Sequence, residues 1–371
     1  MSLFHRRATL AVTLAVLWGS ALAAVGTDAQ EKAALQPSVS AVPTRVVEPF
    51  QVDSVMRRWA HDEVGYGGTR EQRLMRLLEA LLAEHNLGLT YSAGYTGTAQ
   101  EVFETRSANC LGFTHLFVGL ARELGIGVDY LRVEDVQRVE RQGDFVVVSG
   151  HVSAGYDTGP EYRVLDFSEL PADDYRHVQV MDDVSVIALH HVNRGAELML
   201  QGNWGEALPW LQLGIEVDPT LPEAWVNIGV HHRQAGRIVE AEEAYRKAIE
   251  IAPDFPSAYQ NLAALLMHQY GRREEAIALL NIATENKTRN PFHFLALGDM
   301  AKGQGRIEVA GSYYRRALAL APEEAETLAA MGIWADSVEK PRKARRLLRK
   351  ARNQDPNHPR VKQLENQLEG S

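Results

Sequence analysis

Apolar positions along the chain change their period twice, and each change marks a different kind of element. From Thr69 to about Asn86, Leu74, Leu77, Leu78, Leu81 and Leu82 recur at spacings of three and four, which puts them on one face of a helix. After a turn region rich in Gly and Tyr, Thr98 and Glu101 stand three apart. That spacing predicts a capping box and a short helix through Thr105. Asn109 is a favoured N-cap, and Phe113, Leu116, Phe117, Leu120 and Leu124 follow as an apolar stripe until Gly125 stops the helix. The pattern then turns β-rich over 126–133, 145–156 and 161–167, with Asp157-Thr158-Gly159-Pro160 as a hairpin turn between the last two. From His190 onward it returns to helix, now rich in alanine.

This last stretch repeats about every 34 residues, with Gly202, Gly236, Gly271, Gly305 and Glu339 at one aligned turn position. Five positions later stand Ala207, Ala241, Ala276, Ala310 and Ala344; nine positions later, Leu211, Tyr245, Leu280, Tyr314 and Leu348. Gly214, Ala248, Ala283, Ala317 and Ala351 follow at twelve, and Pro219, Pro253, Pro322 and Pro356 close most copies. The third copy is irregular, with one extra residue before Gly271 and a late closing proline, Pro291. Small residues let paired helices approach, large ones fill the gaps, and proline ends the second helix. In the second copy Trp225, Asn227, Gly229, Gly236, Ala241, Tyr245, Ala248 and Pro253 resemble the tetratricopeptide repeat. The resemblance implies an all-α solenoid of about five copies over 189–357, whose concave groove holds a protein or peptide partner. A C-terminal tail over 358–371 is expected beyond it.

The N-terminus carries a different signal. Arg6 and Arg7 precede an apolar run from Ala8 to Trp18, followed by Ser20-Ala21-Leu22-Ala23. Charged start, short apolar middle and small-residue end are those of a secretory signal peptide over 1–23, cleaved near Ala23. The run is weak as a stable span, so no membrane span is expected after cleavage, and the product is expected in the periplasm or otherwise exported. No cysteine follows the run, which excludes a lipid-modified cysteine there. Residues 24–50 lack periodicity and are expected to be a linker; 51–188 form the first domain. Losing Arg6 and Arg7 takes the formal net charge from −9 to −11, a poor balance for binding nucleic acid, which gains most of its affinity from neutralising phosphate.

Cys110 is the chain's 1 cysteine, so no disulfide within the chain is available to it. It is either an inert buried thiol or a reactive one. Its place directly after the N-cap puts it where free backbone N–H groups and the helix dipole favour a thiolate. A thiolate nucleophile needs a histidine and a group that orients it. If the hairpin is centred on Thr158-Gly159, paired residue numbers sum to 317, and His151 and Asp166 become cross-strand neighbours with Cβ atoms about 5 Å apart. A solvated His/Asp pair would have the same spacing.

Arg106-Ser107-Ala108-Asn109-Cys110-Leu111-Gly112-Phe113 and Leu120-Ala121-Arg122-Glu123-Leu124-Gly125-Ile126 resemble the nucleophile helix of the transglutaminase-like superfamily. Gly150-His151-Val152 and Val164-Leu165-Asp166-Phe167 match the places where that superfamily carries its histidine and aspartate. The resemblance spans about 65–185. It implies a papain-like α+β domain ahead of the repeats, with Cys110 as nucleophile, His151 as proton shuttle and Asp166 as its orienting partner. Cofactors and metals are not implied. Val152 and Ala108 depart from an aromatic residue and a glycine common among relatives, which puts in doubt any substrate preference carried from cross-linking enzymes. The backbone N–H of Cys110 is the natural first oxyanion donor, and Tyr91, Tyr95 and Gln100 are all open as a second.

His115 lies about 140° around the helix from Cys110 and is not expected to serve as the base. The adjacent pairs His190-His191 and His231-His232 point to different helix faces and make poor chelates. From Lys340 to Arg352, eight of thirteen residues are basic, either a solvated face of the last repeat or a surface for an anionic partner. Two functions compete. One is an exported cysteine-dependent hydrolase or acyltransferase acting on amide bonds of a protein recruited by the repeats. The other is a non-catalytic binding scaffold of the cell envelope.

Overall fold

The computed structural model describes Ala15–Leu17 and residues 45–369, apart from 93, 143–144, 160–161, 166–174, 176 and 286–287; between 134 and 149 only the backbone is described. Two compact units divide at Met1–Pro253 and Asp254–Ser371, inside the repeat array.

The first unit opens with helices α1 (Ser54–Val64), α2 (Arg70–Leu82), α3 (Ala99–Thr105) and α4 (Cys110–Glu123). The expected box of Thr98 and Glu101 forms on α3, and a second one, Thr69 with Gln72, caps α2. Helix α2 ends at Leu82, short of Asn86, and residues 83–88 turn back so that Leu87 and Leu89 N–H groups reach α2 carbonyls. Helix α4 is buried on all sides from Cys110 to Ala121, which the apolar stripe alone did not announce. Gly119 explains part of this, since a Cβ there would overlap the Phe50 carbonyl. Residues 47–50, expected as the end of a linker, are held on the domain: the Ala99 N–H donates to the Pro49 carbonyl at 2.6 Å and the Val47 N–H to His191 at 3.2 Å.

Strands β1 (Ala15–Leu17), β4 (Asp129–Gln142), β5 (Phe145–Asp157), β6 (Tyr162–Leu165) and β7 (Val178–Met181) form an antiparallel sheet, while β2 (Thr90–Tyr91) and β3 (Ser107–Ala108) pair in parallel. Strand β5 is central, with β4 on one side, β1 and β6 on the other, and β7 outside β4. Strand β1 lies within the expected leader; the β4–β5–β6 ladders are independent of it. The β5–β6 pairs run from Ala154↔Leu165 to Asp157↔Tyr162, so paired numbers sum to 319 and not to the expected 317. Proline supplies the reason. A two-residue turn on Thr158-Gly159 would set Pro160 opposite Asp157, where the closing pair of the ladder needs an N–H that proline lacks.

Helices α5 (Asp183–Leu200), α6 (Trp204–Val217), α7 (Pro222–Gln234) and α8 (Ile238–Ile251) complete this unit as two antiparallel pairs. Helix α5 has 18 residues against 13 or 14 in α6 and α7, and its extra turns belong to the domain before it. Arg122 at the end of α4 grips Asp183 through two bonds of 2.8 and 2.9 Å. A second tie joins Arg132 of β4 to the buried carboxylate of Glu223 on α7.

The second unit holds α9 (Pro256–Gln269), α10 (Arg273–Glu285), α11 (Pro291–Gly303), α12 (Ile307–Leu320), α13 (Ala325–Ser337), α14 (Pro341–Gln354) and α15 (Pro359–Glu369). The expected tail is therefore helical, and it packs: Val361 and Leu364 are fully buried. Pro291, expected to close the third copy, instead starts α11 in its first turn, as Pro222 and Pro256 start α7 and α9. The long connection before it is closed by side chains: Gln260 donates to Thr288 at 2.9 Å and Asn290 donates to Gln260 at 2.8 Å. In both units an inward glycine meets an aromatic ring. A Cβ on Gly229 would overlap Tyr245, and one on Gly298 would overlap Tyr314.

Candidate active site

Cys110 is the first residue of α4 and 6% exposed. Its position is set from both sides. Upstream, Tyr91 pairs with Ala108, and the Ser92 N–H donates to the Ala108 carbonyl at 2.9 Å. Downstream, the Asn109 side chain caps α4 by accepting from the Gly112 N–H at 2.9 Å. This cap fixes the start of α4, and so the place of Cys110 in its first turn.

The first turn of α4 lies against β5. The Thr114 hydroxyl donates to the Cys110 carbonyl at 2.7 Å and stands 3.4 Å from the carbonyl of Val152, the residue after His151. One hydroxyl proton serves one acceptor, so the shorter contact is the bond and the longer one measures proximity. His151 is buried, with its ring 5.7 Å from that of Tyr175. Opposite it the register jumps: Val133 pairs with His151, then Gln137 with Gly150. Such bulges bend a strand and re-aim the side chains beside them. Asp166 lies outside the described residues. The expected His151–Asp166 pairing therefore falls outside them too. Ser153, two residues after His151, donates to the Leu165 carbonyl at 2.7 Å.

The three open oxyanion candidates now separate. Tyr95 gives its hydroxyl to Glu101 at 2.7 Å, and burial raises its pKa. Gln100 is exposed and lines a recess with Trp59, Phe103 and Arg106 that includes neither Cys110 nor His151. Tyr91 is on β2, whose partner strand β3 runs directly into Asn109 and Cys110.

His115 is fully buried and its Nδ1 is 3.0 Å from the Tyr130 hydroxyl; burial lowers its pKa to about 3. His190 packs edge-on against it at 5.3 Å. His191 donates from Nδ1 to the Ile187 carbonyl at 2.8 Å and accepts the Val47 N–H at Nε2, which fixes a neutral tautomer. His231 contacts the Trp204 carbonyl through Nε2 at 2.9 Å. Among the described residues no group of three or more His, Cys, Asp or Glu is placed to hold a metal ion.

Sequence reasoning missed a buried chain of polar groups behind Cys110. Asn109 donates to the Thr96 hydroxyl at 2.6 Å, Thr96 donates to Glu197 at 2.6 Å, and Arg194 donates to Glu197 at 2.7 Å. Burial pushes the Glu197 carboxyl up, while Arg194 and Thr96 pull it back. Thr96 and Glu197 are 101 positions apart, so no local pattern could have joined them.

Family profiles described as tetratricopeptide repeat match residues 222–255, the α7–α8 pair, and 294–324, the α11–α12 pair from its fourth residue on. The chain carries tetratricopeptide repeats. It is also similar to the photosystem I assembly protein Ycf3 of Rippkaea orientalis, at 33% identity over 101 residues. That match takes in 24% of this chain and spans 58% of the relative's length. Among solved structures, a thermophilic tetratricopeptide-repeat protein of Thermus thermophilus overlays at a TM-score of 0.40 with 20% identity, over 49% of this chain and 98% of that one. PilW, a type IV pilus biogenesis factor, overlays at a TM-score of 0.41 with 19% identity, over 52% of this chain and 94% of that one.

Proposed function

We propose that this protein works by holding a protein partner on its tetratricopeptide repeats. The observation that carries the reading is the set of five helix pairs from α5 to α14, with α15 after them, of which α7–α8 and α11–α12 match the repeat's family profiles. Repeats of this kind present extended surfaces to other chains. The exposed cations Arg342, Arg345, Arg346, Arg349 and Lys350 on α14 support an acidic region in the partner. The test places a photo-crosslinking residue at Gln234, Gln269 or Ser337, at the ends of α7, α9 and α13, and at Val180 on β7 for comparison. Crosslinks to one protein from the repeat positions, weakened by salt, are expected. Crosslinks confined to Val180 would overturn the reading.

A second reading, which acts on the partner so held, is cysteine-dependent amide chemistry of the transglutaminase-like kind in a papain-like domain. One contact favours it: the Thr114 hydroxyl, which bonds the Cys110 carbonyl, stands 3.4 Å from the carbonyl of Val152, next to His151. In this mechanism the Cys110 thiolate attacks an amide carbonyl, and the Cys110 N–H with the Tyr91 hydroxyl receives the oxyanion. His151 passes its proton to the leaving amine, Asp166 orients His151, and water resolves the thioester. Export by the leader over 1–23 would put this chemistry in the cell envelope. Cys110→Ala is expected to abolish turnover of a peptide or protein amide, and His151→Gln to lower it by about 10²–10⁴. Full activity in the Cys110→Ala variant would leave the repeat scaffold as the whole function.

A further inference from the structure

Four buried side chains link the cap of α4 to the first helix of the repeats. Thr96 and Asn109 are 0% exposed, Glu197 3% and Arg194 4%. Glu197 is on α5, and its two carboxylate oxygens take different partners, Arg194 on one and Thr96 on the other. The Arg194 guanidinium also lies 4.1 Å from the Tyr95 ring and 5.5 Å from the Trp210 ring, so it touches both the loop before α3 and helix α6.

We propose that Glu197 is a positioning residue for Cys110, acting through Thr96 on the Asn109 cap. The inference rests on the cysteine-chemistry reading. The direction of each bond carries it. An ionised carboxylate only accepts, so the Thr96 proton points at Glu197 and the Thr96 lone pairs face Asn109. Asn109 must then offer its NH₂ to Thr96, which turns its Oδ1 to the Gly112 N–H. A flipped amide would set NH₂ against N–H and lose the cap. The charge on a repeat helix thus fixes which way the cap of the nucleophile helix faces. Burial of an ion pair is costly, and well-packed apolar side chains would satisfy structure alone at no loss. The repeats and the cysteine centre are in this respect one device.

The single cysteine makes the test direct, because every alkylation of the full chain reports Cys110. Rates with iodoacetamide are measured against pH for the parent and for Thr96→Val, Thr96→Ser, Glu197→Gln and His151→Gln, with circular dichroism confirming the fold. Thr96→Val is nearly isosteric and leaves the Arg194–Glu197 pair in place. It is expected to slow alkylation at neutral pH about five-fold, the worth of a helix cap, and to move the profile to higher pH. Thr96→Ser should restore the parent profile. Glu197→Gln separates positioning from simple charge. Removing a negative charge alone would move the profile to lower pH, whereas loss of positioning moves it higher. A downward move, or a Thr96→Val profile equal to the parent's, overturns the proposal while His151→Gln still alters the rate. A parent that alkylates like a free thiol and ignores His151→Gln overturns the cysteine reading and this proposal together.

Discussion

Glu339 holds a left-handed backbone, φ 57°, at the aligned turn position where Gly202, Gly236, Gly271 and Gly305 adopt φ between 66° and 83°. A side chain there is strained by contact of its Cβ with the backbone, which glycine avoids. Glu339→Gly is therefore expected to stabilise the second unit by about 0.5–1 kcal/mol, less what glycine gives back in unfolded-chain entropy. Gly305→Ala, at the matching turn, should destabilise by about 1 kcal/mol. Urea midpoints of the two variants check both signs. The pattern of the sequence exposed this site, because the repeat alignment placed Glu339 among glycines. By contrast Thr96 is an unremarked residue in a turn region, and its role depends on a carboxylate from a distant helix.

Helices whose ends are written locally were the most legible elements. The boxes at Thr69 and Thr98 and the cap at Asn109 all involve partners within three residues, so their chemistry can be read in a short window. Elements that depend on distant partners were harder. Helix α1, the short strands β2 and β3, and β7 carry weak periodicity, and the sheet pairs across gaps set by loops. Helix α15 was missed because its charged sequence has only two fully buried anchors, Val361 and Leu364. It is nonetheless fastened. Arg360 donates to Asp299 at 2.5 Å, and Leu364 lies over Gly332. Leu364→Ala is expected to cost about 2–5 kcal/mol by opening a cavity beneath the last pair. Hydrogen exchange should then speed up in α13 and α14, and unchanged exchange would show that α15 does not cap the unit.

Across the whole chain, buried histidines make stability depend on pH. Burial first, and neighbouring histidines second, hold His115 at about 3 and His190 well below its ordinary value. Unfolding exposes both, and they then bind protons below about pH 6.5. The unfolded chain is the better proton binder in that window, so stability is full above about 6.5 and falls as pH drops toward 3. Once the unfolded histidines are protonated, the slope is about 1.4 kcal/mol per pH unit for each. Urea unfolding between pH 7 and 4.5 should show this loss, and His190→Gln should remove one proton's share of the slope.

The sequence by itself determined the repeats, their glycine turns and the helix that begins at Cys110, because each rests on spacing within one copy or one turn. It also singled out Cys110 and His151, since a lone cysteine after an N-cap and a histidine on a strand are visible as residue types in their places. Pro160, whose missing N–H bars a two-residue turn, also stands in the sequence; only the tertiary structure decided what covers helix α4, such as the Phe50 carbonyl at Gly119. It also joined the Asn109 cap to Glu197 through Thr96. Those choices turn on which groups meet once the chain is packed, and a one-dimensional pattern does not contain that meeting. Helix α4, which the sequence announced as one apolar stripe, is in the folded chain a buried element whose cap is tied to the first helix of the repeats.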